Sequence, residues 1–416
     1  MLSIARSRVL LAACTALVVA CGSDNGPGSG AGNAALALGD RHACRAVESG
    51  TYCWGMGGDG QLGIGTTPEI SSPVRVPDAP EFISLTAGSL HTCGLASDGM
   101  AWCWGRNADG QLGIAEGAGS ACGAFACAAV PTPVAGGIRF RSLSAGAFHT
   151  CGLDTGGIAW CWGRNDVGQL GTREDGDSCD GIRCARQPVP VAGGHRFEQI
   201  SAAMLHVCAI ETGGTLQCWG FQTVPVEGVH TNPTFTPDAA PMAPEVEFRQ
   251  VSAGGLHTCA IAEDGGTYCW GIDALGAGPS PLESAEPVPV VRGTRFRSIA
   301  SARLTSCALD AQGAAWCWGT NANGEVGTVP VAGDARFNEP SAVSGEFRFV
   351  RIAGGQGTYC GITTAETTVC WGRGQFGELG TRLENSTTPV AITLPEPGPE
   401  ALDPASAARA IDHAGH

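Results

Sequence analysis

The sequence predicts an all-β chain folded as a seven-bladed β-propeller, with the C-terminal strand closing the ring by completing the first blade. Three observations carry this. The tripeptide Cys-Trp-Gly recurs seven times, with its tryptophans at 54, 104, 162, 219, 270, 318 and 371, spaced by 50, 58, 57, 51, 48 and 53 residues. Each copy sits among several short alternating stretches separated by turn glycines, the pattern of a propeller blade. The first unit has no Pro-Val strand ahead of its AALALGDRHAC, whereas TPVAITLP is left over at 388–395. Pairing those two ends leaves no open sheet edge; an open solenoid is the alternative.

Composition agrees. The 63 Gly and 25 Pro in 416 residues exclude a long-helix protein. A hydrophobic content of 43% with 10 Trp argues against disorder. All 24 basic residues are Arg, against 39 Asp plus Glu, so the net charge of −15 disfavours a phosphate-backbone binder. Without lysine there is no phosphate-binding P-loop.

In chain order, the N-terminus comes first. MLSIARSR is a basic start, followed by an apolar run from Val9 to Ala20, too short to span a bilayer. LVVAC then places Ala20 before Cys21, and the polar stretch GSDNGPGSGAGN follows. This order resembles a bacterial lipoprotein signal, which implies a signal peptide at 1–20, lipidation of Cys21 and a flexible tether at 21–34. LAAC ending at Cys14 is a rival site, but it leaves an apolar run of only five residues. An ordinary secretory signal with an incidental Cys21 is the other alternative. The expected location is the bacterial cell envelope, at the outer membrane or cell surface, with the lipid as the sole membrane attachment. Removing Arg6 and Arg8 with the signal leaves 22 Arg against 39 acids, a net charge of −17.

Residues 35–395 form the single propeller domain. A typical unit reads FRSLSAGAFHTC, then CWGRNDVGQLG, then a Pro-Val strand such as PVPV. About ten residues before each Cys-Trp-Gly cysteine lies another. The resulting pairs are Cys44/Cys53, Cys93/Cys103, Cys151/Cys161, Cys208/Cys218, Cys259/Cys269, Cys307/Cys317 and Cys360/Cys370. Opposing Cys93 and Cys103 on antiparallel strands leaves the three-residue loop Ser97-Asp98-Gly99. Such loops place a left-handed residue last, usually Gly, and Gly99, Gly157, Gly214, Gly265 and Gly313 all stand there. The last pair has Glu366 at that place and the first pair is one residue shorter. Opposed cysteines are within disulfide reach, and an oxidising compartment favours the bond. Free buried thiols and metal ligation are the alternatives, though no CxxC is present. Two further pairs, Cys122/Cys127 and Cys179/Cys184, close insertions after GQLG in units two and three, which should project from one face. Residues 396–416 read as a disordered tail.

HTC-x-L, then C-W-G-x-N-x-x-G-Q-L-G, then P-V, resembles the regulator of chromosome condensation repeat over about residues 35–395. The resemblance implies a seven-bladed propeller. Units four and five depart from it, since WGFQTVPVEG and WGIDALGAG lack GQLG. The family's founder is an exchange factor for a nuclear small GTPase, and bacterial secreted relatives include propellers that bind and inhibit an enzyme through one face. No exchange-factor residues match here.

His42, His91, His149, His206 and His257 each stand two residues before a hairpin cysteine. One structural hydrogen bond repeated per blade explains them better than a ring of metal ligands, because equivalent blade positions lie too far apart to share an ion. GMGGDG at 55–60 fits GxGxxG but lies within a β repeat. Asp175, Asp177 and Asp180 lack a full calcium-loop pattern and read as a solvated acidic loop. Trp102, Trp160 and Trp316 are candidate sugar platforms, packing being the alternative. With no catalytic set, metal or cofactor implied, the expected role is a non-enzymatic, monomeric, protein-binding scaffold. Its partner would be a cell-surface or secreted protein, an enzyme for instance, and not nucleic acid. Candidate contacts are Glu116, Phe125, Asp175, Asp177, Asp180, Arg183 and Phe235, on insertions 114–130 and 172–187 and loop 221–246. A carbohydrate-binding or carbohydrate-active propeller and a nucleotide-exchange factor are the alternatives.

Overall fold

The structure, a computed structural model, describes residues 35–395 except 174–176, 227–228, 292–294 and 330–335, and no side chains over 222–237. The signal segment 1–20 with Cys21, the tether 21–34 and the tail 396–416 lie outside the described residues.

Each repeat folds into its own antiparallel sheet, so seven sheets follow one another along the chain. Blade three is representative: Phe140–Ala145, His149–Asp154, Ala159–Arg164 and Ile182–Pro190 run from the inner to the outer strand. Inner-strand residues are the SAG phrase, the second strand carries HTC, the third carries CWG, and the outer strand carries Pro-Val. Proline belongs there, because an outer edge strand has N–H groups with no ladder to serve. Blades two and three add a three-residue fifth strand outside it, Ser120–Cys122 and Asp177–Cys179.

The hairpin register is as expected in every blade. Cys44 faces Cys53, Cys93 faces Cys103, Cys151 faces Cys161 and Cys208 faces Cys218. Cys259 likewise faces Cys269, Cys307 faces Cys317 and Cys360 faces Cys370. All seven of these pairs are disulfides, with Cα atoms 4.0–4.1 Å apart. Cys122–Cys127 and Cys179–Cys184 are disulfides too, so the nine expected pairings all form. The turn glycines adopt φ between 81° and 88°, and Glu366 accepts the same left-handed place at φ 60°.

The core lies between blades, not within them. Trp54, Trp104, Trp162, Trp219, Trp318 and Trp371 are fully buried. Each packs against the preceding blade, as Trp219 does with Leu170 and Cys151. Burying each indole contributes about 4–6 kcal/mol of transfer free energy, an upper figure. Their indole N–H groups donate across the junction: Trp104 to the Gln61 carbonyl at 2.9 Å, Trp162 to Gln111 at 2.9 Å and Trp219 to Gln169 at 3.1 Å. The GQLG element is thus a turn whose Gln offers a carbonyl and whose Leu fills the core. Unit five lacks GQLG, as its sequence shows, and Ala274-Leu275-Gly276 takes its place, with Trp318 donating to the Ala274 carbonyl at 2.8 Å.

The inner strands face the axis with unpaired N–H groups, and neighbouring blades satisfy them. Ala145, Ala202, Ala253 and Ser301 donate their N–H to the hydroxyls of Thr86, Ser144, Ser201 and Ser252, at 2.8–2.9 Å. At the axial turns, backbones touch so closely that a Cβ on Gly88 would strike the Gly146 carbonyl, and one on Gly355 the Gly39 carbonyl. That close approach is why SAG recurs.

The ring closes, but one part of the expectation needs correction. Asn385–Ile392 is the outer strand of the seventh blade, paired with Thr368–Arg373, and does not join the first sheet. The first blade is complete without it, because Ile70–Arg75 supplies its own Pro-Val strand. The C-terminal strand takes part in closure by packing: Ile392 shares a core with Leu36, Leu38, Trp54 and Cys360. Trp54 also donates to the Glu378 carbonyl at 2.8 Å across the seam.

Candidate functional site

In an antiparallel four-stranded blade, the first-to-second and third-to-fourth connections share one end. That end carries the departures from the repeat, on three consecutive blades. In blade two, Cys122 and Phe125 face each other across a two-residue turn opened by Gly123. In blade three, Cys179 and Ile182 flank Asp180-Gly181, with φ of 50° and 84°, as a type I′ turn requires. The disulfides Cys122–Cys127 and Cys179–Cys184 pin these hairpins. In blade four the third and outer strands lengthen to Leu216–Val226 and Val229–Met242. The expectation that the insertions share a face is met.

The candidate contacts distribute as follows. Glu116 is exposed on the blade-two insertion. Phe125 is exposed, with the Arg106 guanidinium 3.7 Å from its ring centre, and Arg106 also pairs with Asp59 at 3.4 Å. Asp177 is exposed and accepts the Arg186 N–H at 3.0 Å. Asp180 and Arg183 are exposed on the same hairpin. Phe235 lies on the long outer strand of blade four opposite Phe221, with its side chain outside the described residues, as is Asp175 altogether. An ion pair between Arg173 and Asp238, at 2.8 Å, links the blade-three and blade-four extensions. Arg164 pairs with Asp166 at 2.6 Å and lies 5.6 Å from the Phe148 ring centre.

At the same end opens the axial mouth, lined by Asp40, Ser89, Met204, Arg303 and Gln356 among small residues. Burial pushes the Asp40 carboxyl up to about 6, against the opposing pull of the Ser89 hydrogen bond and the Arg373, Arg41 and Arg303 charges. The next residue of five successive units is apolar and half-buried: Leu90, Phe148, Leu205, Leu256 and Leu304. The candidate residues read from the sequence omit this collar and Asp40. The signal was present, as an apolar column directly before His91, His149, His206, His257 and Thr305.

The histidines are structural. His42, His91 and His206 bond through Nε2 to Thr92, Thr150 and Thr258 of the next blade at 2.7–2.9 Å. His257 bonds to Ser306 at 2.7 Å. Burial lowers His42, His91, His149 and His257 to about 3 and His206 to about 4. His149 differs, because the next blade offers Val207, and among the described residues neither of its ring nitrogens has a partner. The sugar-platform reading of the other tryptophans loses support: Trp160 and Trp316 donate to Asp154 and Asp310 of their own hairpins at 3.1 and 3.0 Å, and Trp102 packs on the core.

Comparison with known proteins fits this geometry. The regulator of chromosome condensation (RCC1) repeat matches residues 49–95, 98–153 and 156–210, and a second form of the repeat matches 82–111, 140–169 and 248–276. The ultraviolet-B receptor UVR8 of Arabidopsis thaliana is 26% identical over 58% of this chain and 53% of the receptor. The mitochondrial RCC1 domain-containing protein RUG3 of the same plant is 27% identical over 57% of the chain and 53% of that protein. The chain thus spans about half the length of these relatives. Human WBSCR16 superposes with a TM-score of 0.70 at 18% identity, over 87% of this chain and 96% of its own. Yeast RCC1 (Prp20), solved bound to Kap60, superposes at 0.67 and 19% identity, over 94% and 91%. These likenesses show the fold, a seven-bladed β-propeller, and the repeat matches make the segments within 49–210 and 248–276 of that ring similar to the regulator of chromosome condensation repeat.

Proposed function

We propose that this propeller is a non-enzymatic, monomeric protein-binding scaffold, tethered to the bacterial cell envelope through a lipid on Cys21, that docks its partner on the end bearing the insertions. The observation that carries the reading is the confinement of repeat-breaking hairpins to one end of three consecutive blades, beside a half-exposed apolar collar. A rigid ring presenting irregular, cross-linked loops limits the entropy lost on docking. The aromatic and arginine pair Phe125–Arg106 is of the residue types enriched at interface anchors. Repeat proteins with this fold are described with protein partners: yeast RCC1 with Kap60, and Prp20p with Gsp1p and histones. Here the predicted envelope location points to a cell-surface or secreted protein.

Capture from envelope extracts tests the docking end. Wild-type chain should retain a partner that a variant trimmed at 172–187 loses. Phe125→Ala with Arg106→Ala should weaken retention by about tenfold or more. Equal retention by both variants would remove the insertion end from consideration. Cys21→Ser should release the chain into the soluble fraction, and membrane retention of that variant would sink the anchor.

A further inference from the structure

The end of the ring opposite the insertions carries a second repeated contact. In three units the residue after the inner-strand Phe is an arginine that reaches the following blade. Arg141 donates to the Phe197 carbonyl. Arg249 donates to Phe296 at 2.9 Å and to the Arg297 carbonyl at 3.3 Å. Arg297 donates to Phe349 at 2.6 Å and to the Val350 carbonyl at 3.3 Å. The same main-chain carbonyl is used each time, so the blade junction is a seat shaped for a guanidinium.

Between blades four and five the charges reverse. The residue after Phe197 is Glu198, which has no hydrogen to donate to the Phe248 carbonyl. The residue before the acceptor Phe is Arg196, Arg295 or Arg348 at the three filled junctions, and Glu247 here. The turn residue bonded to that position is Thr212 or Thr364 at two of them, and Glu263 here, whose N–H donates to the Glu247 carbonyl at 2.9 Å. An open cleft results, lined by Glu198, Gln199, Gly214, Glu247, Phe248 and Glu263. All three carboxylates are exposed to solvent. Arg249, which also borders the cleft, is committed to the next junction.

The geometry points to this cleft as a receptor for an arginine side chain of a protein partner. Three equivalent seats in the same molecule show the bound form, a guanidinium on the main-chain carbonyl of the next blade's Phe, and at Arg249 two nitrogens fork onto adjacent carbonyls. The fourth replaces the internal arginine with carboxylates that complement an external one. Arginine is favoured over lysine because its fixed fork spans adjacent acceptors while keeping its charge against the glutamates. The cleft lies at the opposite end from the proposed docking surface, so either can fail without the other.

Titration of the full chain with the capped peptides Gly-Gly-Arg-Gly-Gly and Gly-Gly-Lys-Gly-Gly, followed by amide NMR at low salt, tests this. The arginine peptide should shift resonances of residues 198, 214 and 247–249 saturably, and the lysine peptide should bind about fivefold more weakly or worse. Glu247→Gln should weaken binding about tenfold. Glu198→Arg should abolish it and raise Tm by about 2 °C, because the seat is then filled from within. Equal binding of the two peptides, binding that survives Glu198→Arg, or calcium chloride saturating the same resonances in place of the peptide would overturn the assignment.

Discussion

At the residue scale, the repeat is a set of single hydrogen bonds that each join two blades. The Nε2 bond from His to the next blade's Thr shows this most clearly, because the chain contains its own exception. His149 meets Val207, and its ring is buried with neither nitrogen partnered among the described residues. Thr matches Val in shape, so Val207→Thr should give His149 the bond that His206 makes with Thr258. We expect a gain of about 1 kcal/mol, read by chemical denaturation. Thr150→Val should cost a similar amount or more by orphaning His91. An unchanged midpoint in the first variant would mean that His149 is already satisfied by water. The HTC phrase made a repeated structural bond legible, but not its partner, which stands 49 to 59 residues away.

At the scale of the element, the blade hairpin and the insertion hairpin use the same disulfide chemistry for different ends. Cys93–Cys103 lies at the centre of a blade, with both cysteines buried in a core shared with Trp162 and Phe140. Cys122–Cys127 holds a short strand outside the four that make the blade. Replacing Cys93 and Cys103 by Ser should lower global stability by about 3 kcal/mol. Replacing Cys122 and Cys127 should leave the global transition nearly unchanged and open only the local hairpin, seen as faster amide exchange over 120–127. Equal losses in global stability would mean that the insertion is part of the blade core. The pairings, the three-residue loops and the left-handed glycines were legible because hairpins are local. The long blade-four hairpin was not, since WGFQTVPVEG interrupts the repeat and loses the register cue.

At the scale of the whole molecule, two properties follow from closing seven blades on themselves. The first is cooperativity. Cutting the chain after residue 384 removes the outer strand of blade seven and takes Ile392 from the core it shares with Leu36 and Trp54. The seam should then open, and a single thermal transition should broaden or fall sharply; an unaltered melt would mean that the seam contributes little. The second is pH dependence. The five repeat histidines titrate at about 3 to 4 in the folded ring, below the ordinary value near 6.5. As pH falls below about 6.5 the unfolded chain takes up protons first, so stability is full above that pH and declines below it. Each histidine contributes up to about 1.4 kcal/mol per pH unit. Asp40, raised to about 6, opposes this between about pH 4 and 6, but it is one group against five. Tm should therefore drop between pH 7 and pH 5, and a flat profile would show that the histidines are hydrated.

The sequence by itself determined the seven units, the register of their cysteine hairpins, the nine cysteine pairs and the shared end of the insertions. Each of these depends on spacing within about 50 residues or on a count of identical units. Only the tertiary structure decided how the ring is sealed and what its surfaces offer. The expected strand exchange gave way to a seventh blade complete in itself, because whether TPVAITLP pairs with its own unit or the first is settled by packing at the seam. The axial mouth around Asp40 and the carboxylate cleft between blades four and five draw residues from neighbouring or all seven units. Such sites are set by where blades meet, which no single repeat contains.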